Sequence, residues 1–145
     1  MGNRRKSREL ALQVLYQLDT ATQDAARAMA GRRDYFSQEE GKDDFAERIV
    51  LGVLEHRPEI DRLIEQYLEN WRLDRIAMID RNILRMAIFE LLHCEDIPPK
   101  VTLNEAIDLG KRYGTEDSGS FINGILDRIQ KEAIRKPNRP KSSEG

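Results

Sequence analysis

The 145-residue sequence predicts an all-α fold, a compact bundle of six or seven helices. Apolar residues recur three and four positions apart along most of the chain, and no stretch has the two-residue alternation of a half-buried strand. Prolines, glycines and capping residues divide this pattern into segments of helical length. Hydrophobic residues make up 39% of the chain and charged residues 34%, enough for one core beneath a well-solvated surface.

The first predicted helix covers about residues 4–19. Its apolar stripe consists of Leu10, Ala11, Val14, Leu15 and Leu18. At about 100° per residue, nearly the opposite side carries Arg5, Arg8, Glu9, Leu12 and Tyr16. Residues 20–42 form the weakest part of the pattern and leave room for one short helix between loops.

Five further helices are predicted, at about residues 44–57, 59–69, 79–93, 99–113 and 117–134. Pro58 is expected to separate the first two of them. The helix 79–93 is the predicted centre of the core, because eight of the ten residues 83–92 are apolar, the exceptions being Arg85 and Glu90.

Three smaller local features accompany these helices. Thr102 and Glu105 have the spacing of a capping box at a helix start. Gly114 can end the same helix in a left-handed conformation. Gly124, inside the last helix, implies the close approach of another helix or of a ligand backbone.

The composition disfavours several functional classes. Cys94 is the only cysteine, which excludes an internal disulfide, and no apolar run approaches the roughly 18 residues of a membrane span. The basic start leads into a charged helix, so we expect no signal peptide and a cytoplasmic location. His56 and His93 show no metal-ligand spacing in the sequence, and we find no phosphate-binding glycine loop. We therefore expect no metal, no cofactor and no enzymatic activity.

Charge is distributed unevenly along the chain, whose formal net charge is −2. Residues 1–8 hold four basic groups, and residues 135–145 hold four more against one acidic residue. The body between them carries nine more acidic than basic residues. Such a pattern favours a polyanion that is contacted locally, although basic termini are also common as solubilising tails. The tail 136–145 is predicted to be disordered.

The first helix gives the clearest functional indication, because Tyr16 lies off the apolar stripe and on the side of Arg5 and Arg8. Guanidinium groups beside an accessible aromatic ring suit single-stranded RNA, since phosphates take the charges and a base stacks on the ring. The alternative is that Tyr16 packs against a neighbouring helix while the arginines are only solvated. Phe121 is predicted to belong to the core, but exposure there would make it a second stacking surface.

Four blocks of the chain stand out as an ordered set: RRKSRELALQVLY (4–16), IAMIDRNILRMA (76–87), KVTLNEAI (100–107) and FINGILD (121–127). Together they resemble the NusB family of bacterial transcription antitermination factors over about residues 4–134. The resemblance implies an all-helical fold of two packed subdomains, with residues 1–135 forming one RNA-binding domain that has no enzymatic activity. Residues 20–42 match no part of the family pattern.

The same resemblance implies the partners and the site. Family members bind boxA elements of ribosomal RNA leader transcripts together with NusE, a small-subunit ribosomal protein, and help RNA polymerase to keep elongating. The RNA contacts assigned by resemblance are Arg4, Arg5, Lys6, Arg8, Tyr16, Asp117 and Phe121. Tyr16 and Asp80 are assigned to the NusE contact, and an acidic body suits a basic ribosomal protein.

Alternatives from other classes remain at this point. A helical protein–protein adaptor would share the bundle and the acidic surface but would have no RNA affinity. RNA cytosine methyltransferases carry a NusB-like domain, but 145 residues leave no room for their cofactor-binding domain, so we do not expect that activity. A homodimer that hides the first helix would be an autoinhibited form.

Overall fold

The computed structural model describes residues 4–20, 37–38, 41–42, 44–68 and 72–134. Their α-helices are α1 (Arg4–Thr20), α2 (Asp44–Gln66), α3 (Met78–His93), α4 (Pro99–Tyr113) and α5 (Ser118–Ile129). A 3₁₀ turn (Leu73–Arg75) precedes α3, and a π-helical turn (Gln130–Ile134) continues α5. The all-α prediction is confirmed, although the described part of the chain has five α-helices rather than six or seven.

Two very short strands were not predicted. They are β1 (Ser37–Gln38) and β2 (Gly41–Lys42), and they pair in antiparallel register. Their length of two residues is too short for alternation to be visible in the sequence. The short helix suggested for residues 20–42 falls largely on residues outside the described ones, as does the predicted tail 136–145.

Helix α2 replaces two predicted helices. It continues through Pro58 with a kink at His56, whose φ of −105° and ψ of 15° are not helical. Proline removes one backbone donor and crowds the preceding turn, and in this chain the result is a bend rather than an end. The predicted separation of two helical segments is therefore confirmed, with the disruption at His56, two residues before Pro58.

Helix α3 lies at the centre of the fold, as predicted. Every residue from Asn82 to Glu90 is buried, and α3 contacts each of the other four α-helices. Helices α1 and α2 pack on each other and on α3, as do α4 and α5, so α3 joins two packed groups. None of the helices in the described ranges is long and apolar enough to cross a bilayer.

The buried side of α1 is wider than the predicted stripe. It includes Leu12 and Arg8, which are both only 4% exposed. Both residues lie within about 60° of Leu15 around the helix. The buried side therefore extends over one flank, where Arg8 meets Glu90 of α3. The prediction that Leu12 and Arg8 face outward was wrong.

Two glycine predictions also need correction. Gly114 ends α4 in an extended conformation (φ −99°, ψ −156°) and not in the left-handed one. A Cβ atom at this position would clash with the side chain of Ser118, which explains the absence of a larger residue. Around Gly124, a Cβ atom would meet no described atom within 4 Å, so none of the described helices approaches it there.

Candidate nucleic-acid interface

The first turn of α1 presents three basic side chains to solvent. Arg4, Arg5 and Lys6 are exposed, and Tyr16 follows about three turns later with 40% exposure. Because Tyr16 and Arg5 share one angular side of the helix, a cationic segment and an accessible aromatic ring lie along the same face. Tyr16 is thus outside the core, as predicted.

Arg8 is enclosed, unlike its three basic neighbours. Its Nε and Nη2 atoms donate to the two carboxylate oxygens of Glu90, both at 2.8 Å. The hydroxyl of Thr102 donates to the same carboxylate at 2.8 Å. An RNA phosphate could reach this guanidinium only if the buried pair were broken, so the geometry supports a positioning role for Arg8 rather than a direct contact.

Arg5 makes the corresponding bond at the surface. Its Nε and Nη2 atoms donate to Glu105 of α4 at 3.2 and 3.0 Å, and its side chain is 56% exposed. The hydrogen bond to Glu105 raises the pKa of Arg5 further above its ordinary value. The Arg5 side of this pair is open to solvent, while the Glu105 side chain is 19% exposed, so a phosphate can compete with Glu105 for the guanidinium.

The same contacts rule out the predicted capping box. The Thr102 hydroxyl is used by Glu90, and the Glu105 carboxylate is used by Arg5. Helix α4 begins earlier, after Pro98, which makes no side-chain cap. Side chains that look like a local cap in the sequence thus connect α4 to α3 and α1.

Arg4 lies over an aromatic ring beside a second carboxylate. Its guanidinium carbon is 4.4 Å from the centroid of the Phe45 ring, and its Nη2 atom is 3.6 Å from Asp96. Arg48 donates two hydrogen bonds to Asp96, at 2.8 and 3.3 Å. The bond from Arg48 lowers the pKa of Asp96 to about 2. The start of α1 is therefore surrounded by charges that are paired but accessible.

A second, partly buried network holds the other end of α1. Arg85 donates to Asp19 at 3.2 Å and to Asp61 of α2 at 2.8 and 3.1 Å. Burial raises the pKa of Asp19, but the hydrogen bond from Asn82 and the nearby arginines outweigh that effect and lower it overall. These networks were not predicted, although Arg85 and Glu90 were visible as the polar interruptions of an apolar run.

Asp117 and Phe121 lie at the start of α5. Asp117 is exposed and makes no side-chain cap, whereas Phe121 is half-buried and packs against the core. One turn further on, Gly124 is exposed with open space around it. The half-buried Phe121 thus lies beside a part of the helix surface that has no side chain at Gly124.

Asp80 is the residue least suited to an open surface. It is 8% exposed, and its Oδ1 atom has no hydrogen-bond partner among the described residues. The first turn of α3, where it lies, favours a negative charge. This oxygen is itself buried, so the geometry gives little support for a direct partner contact through it.

One cluster of candidate metal ligands is present where the sequence indicated none. His56 and Glu59 of α2 and His93 of α3 each place one ligand atom within 4.8 Å of the others. The sequence spacing did not suggest this group, because His93 is 34 residues beyond Glu59 and comes close only through the packing of α3 on α2.

The family model that matches this chain is that of the NusB family, over residues 5–131. The chain belongs to the NusB family. It is 50% identical over 141 residues to the transcription antitermination protein NusB of Myxococcus xanthus, a similarity that covers 94% of this chain and all of that relative.

Solved structures agree with this assignment to the NusB family. T. maritima NusB superimposes with a TM-score of 0.74 at 42% identity, covering 90% of this chain and 92% of that one. A chain from a crystal structure of the antitermination factors NusB and NusE in complex with dsRNA superimposes with a TM-score of 0.73 at 28% identity. That similarity covers 90% of this chain and 98% of the other.

Proposed function

We propose that this chain is an RNA-binding transcription antitermination factor. It binds single-stranded boxA-type leader RNA together with the ribosomal protein NusE and keeps RNA polymerase elongating through ribosomal RNA operons. The observation that carries this proposal is the exposed basic turn of α1, which shares a helix side with the exposed ring of Tyr16, in a NusB-family chain. Such a factor acts in the cytoplasm and needs no catalytic group or membrane contact.

The RNA-contacting groups divide by accessibility. Arg4, Arg5 and Lys6 take phosphates, because their charges face solvent and their pairs exchange easily. Tyr16 stacks on a base, an interaction typically worth ~1–3 kcal/mol. Arg8 contributes indirectly, since its bond to Glu90 fixes the direction in which the basic turn points.

The start of α5 is proposed as the second RNA-facing segment. The partly exposed ring of Phe121 supplies another stacking surface, and Asp117 accepts hydrogen bonds from base or sugar donors. Gly124 leaves space for a nucleic-acid backbone to approach closely, which is the ligand alternative that the sequence left open.

NusE is the proposed protein partner. The acidic excess of residues 9–134 complements a basic ribosomal protein and speeds its association. Tyr16 and the small exposed part of Asp80 are the proposed contact groups. Because RNA and NusE would each contact part of a shared composite site, we expect their binding to be cooperative.

The direct test is the affinity for a boxA oligonucleotide measured by gel shift with and without purified NusE. We expect weak binding by the chain alone and clearly tighter binding when NusE is present. RNA binding without enhancement would contradict the cooperative role. NusE binding without any RNA affinity would instead support the protein–protein adaptor. The observation that favours an adaptor is that Glu105 already neutralises the charge of Arg5.

Self-association is the competing use of the same face. A homodimer that buries Arg5 and Tyr16 would compete with RNA. Sedimentation of the chain with and without boxA RNA tests this: we expect the RNA-bound form to be monomeric with respect to this chain.

A further inference from the structure

Three potential metal ligands meet where the kink of α2 faces the end of α3. The Nδ1 atom of His56 and the Nε2 atom of His93 each lie 3.6 Å from Oε1 of Glu59. His56 and Glu59 are three residues apart at the kink of α2, where their side chains come into contact. His93 comes from the last turn of α3. None of the three belongs to the proposed RNA-binding face.

We propose that His56, Glu59 and His93 bind a divalent transition-metal ion, for which Zn²⁺ is the best fit. Two imidazole nitrogens and one carboxylate oxygen are a donor set that suits zinc and not Mg²⁺ or Ca²⁺. Zinc bonds to such ligands are about 2.0–2.1 Å long, so ligand atoms on one tetrahedral ion stand roughly 3.4 Å apart. The histidine–glutamate separations are already close to this value.

Aromatic packing holds the two imidazoles of the cluster next to each other. The imidazoles of His56 and His93 stack with centroids 4.0 Å apart and planes inclined by 20°. The ring of Phe89 lies next to both, with centroids at 6.2 and 5.5 Å. One nitrogen of each ring lies beside Glu59, and binding of an ion would require the imidazoles to rotate out of this stack about their side-chain torsions.

Access and charge also favour a cation. The histidine side chains are about one third exposed and that of Glu59 is 54% exposed, so an ion reaches them from solvent and water completes its coordination. The carboxyl end of α3 favours positive charge. The adjacent guanidinium of Arg57 is directed to Asp19 and Asp61 instead of to the cluster. A bound ion would connect the α2 kink to the end of α3.

Calorimetric titration of the tag-free protein with ZnCl₂ tests the site. We expect saturable binding of one ion per chain, weakened at least about tenfold by His93→Ala and by Glu59→Gln, since even outer-sphere changes commonly cost that much. Glu55→Gln is the matched control, because it removes an exposed carboxylate from the same helix outside the cluster. It should keep the affinity of the parent.

Thermal unfolding provides an independent readout. Zn²⁺ should raise the Tm of the parent and of Glu55→Gln but not of His93→Ala, and metal-free melts verify that each variant folds. The proposal is overturned if the parent shows no saturable binding, or if His93→Ala and Glu59→Gln bind as the parent does. It is also overturned if only Cys94→Ala abolishes binding, which would assign the ion to the neighbouring thiol.

Discussion

Arg5 and Arg8 illustrate how one helical turn separates an accessible charge from a structural one. Each donates two hydrogen bonds to a single carboxylate. The side chains of Arg8 and Glu90 are 5% and 2% exposed, whereas more than half of the Arg5 side chain is exposed. Loss of one partner from an enclosed pair leaves a buried charge uncompensated, while water replaces a partner lost at the surface.

Arg8→Ala should therefore lower the free energy of unfolding by about 3–5 kcal/mol, measured by urea denaturation. Arg5→Ala should leave the denaturation midpoint unchanged within error. Replacing both buried partners, as Arg8→Met with Glu90→Met, should recover much of the loss because no unpaired charge remains. Equal destabilisation by Arg5→Ala and Arg8→Ala would show that both arginines are structural.

Asp96 allows a prediction about acid stability. Its pKa is about 2 in the folded chain, below the ordinary value of 3.8, because Arg48 donates to the charged carboxylate. A carboxyl group with a lowered folded pKa stabilises the fold above its unfolded pKa and loses that contribution as the pH falls through the folded one. Between pH 4 and pH 2, the Tm of Arg48→Met should therefore fall less steeply than that of the parent. If the Tm of the parent and of Arg48→Met fell in parallel over this range, the Arg48–Asp96 pair would not contribute to the pH dependence of stability.

At the level of single elements, helix α1 is held near both of its ends by polar residues of α3. Glu90 holds Arg8 near the amino end, and Arg85 holds Asp19 near the carboxyl end. Rigid attachment lets the exposed basic turn and Tyr16 bind RNA without the cost of ordering the helix.

The number of exposed cationic side chains on α1 determines the salt dependence of RNA binding. All four cations of the first turns would give a slope of about −3 for log K against log salt, at roughly −0.7 per phosphate on a single strand. With Arg8 enclosed, we expect about −2, and Arg5→Ala should reduce its magnitude by about 0.7. Arg72→Ala is the matched control, since Arg72 makes a similar exposed pair with Asp74. Anisotropy titrations at several KCl concentrations measure these slopes, and an unchanged slope in Arg5→Ala would remove Arg5 from the interface.

A substitution in helix α5 is predicted to raise stability and to weaken binding. Gly124→Ala should stabilise the chain by up to ~1 kcal/mol, because alanine favours the helix and its Cβ atom meets nothing in the described structure. If RNA or a partner approaches this surface closely, the same substitution should weaken assembly with boxA RNA and NusE. Thermal melts and gel shifts test the two effects separately. Unchanged assembly would leave Gly124 outside the interface.

For the molecule as a whole, the sequence predicted those features that depend on the helical spacing of apolar residues. The all-α class, the central position of α3 and the exposure of Tyr16 each follow from helical spacing. The enclosure of Arg8 depends on Glu90, 82 residues away, and the cluster of His56, Glu59 and His93 depends on how α3 packs on α2. Local pattern does not contain such long-range pairings, although a polar residue within an apolar run, such as Glu90, indicates that one exists.

The central claim is that the exposed side of α1 binds the transcript, and paired variants test it most directly. The measurement is the affinity for boxA RNA, by fluorescence anisotropy in the presence of NusE. It compares the parent with the double variant Arg5→Ala, Tyr16→Leu and with the control variant Arg72→Ala. We predict that the double variant folds normally and binds at least about fivefold more weakly, since one lost stacking contact alone costs ~1 kcal/mol or more. Arg72→Ala should bind as the parent does. Parental affinity in the folded double variant would contradict the claim.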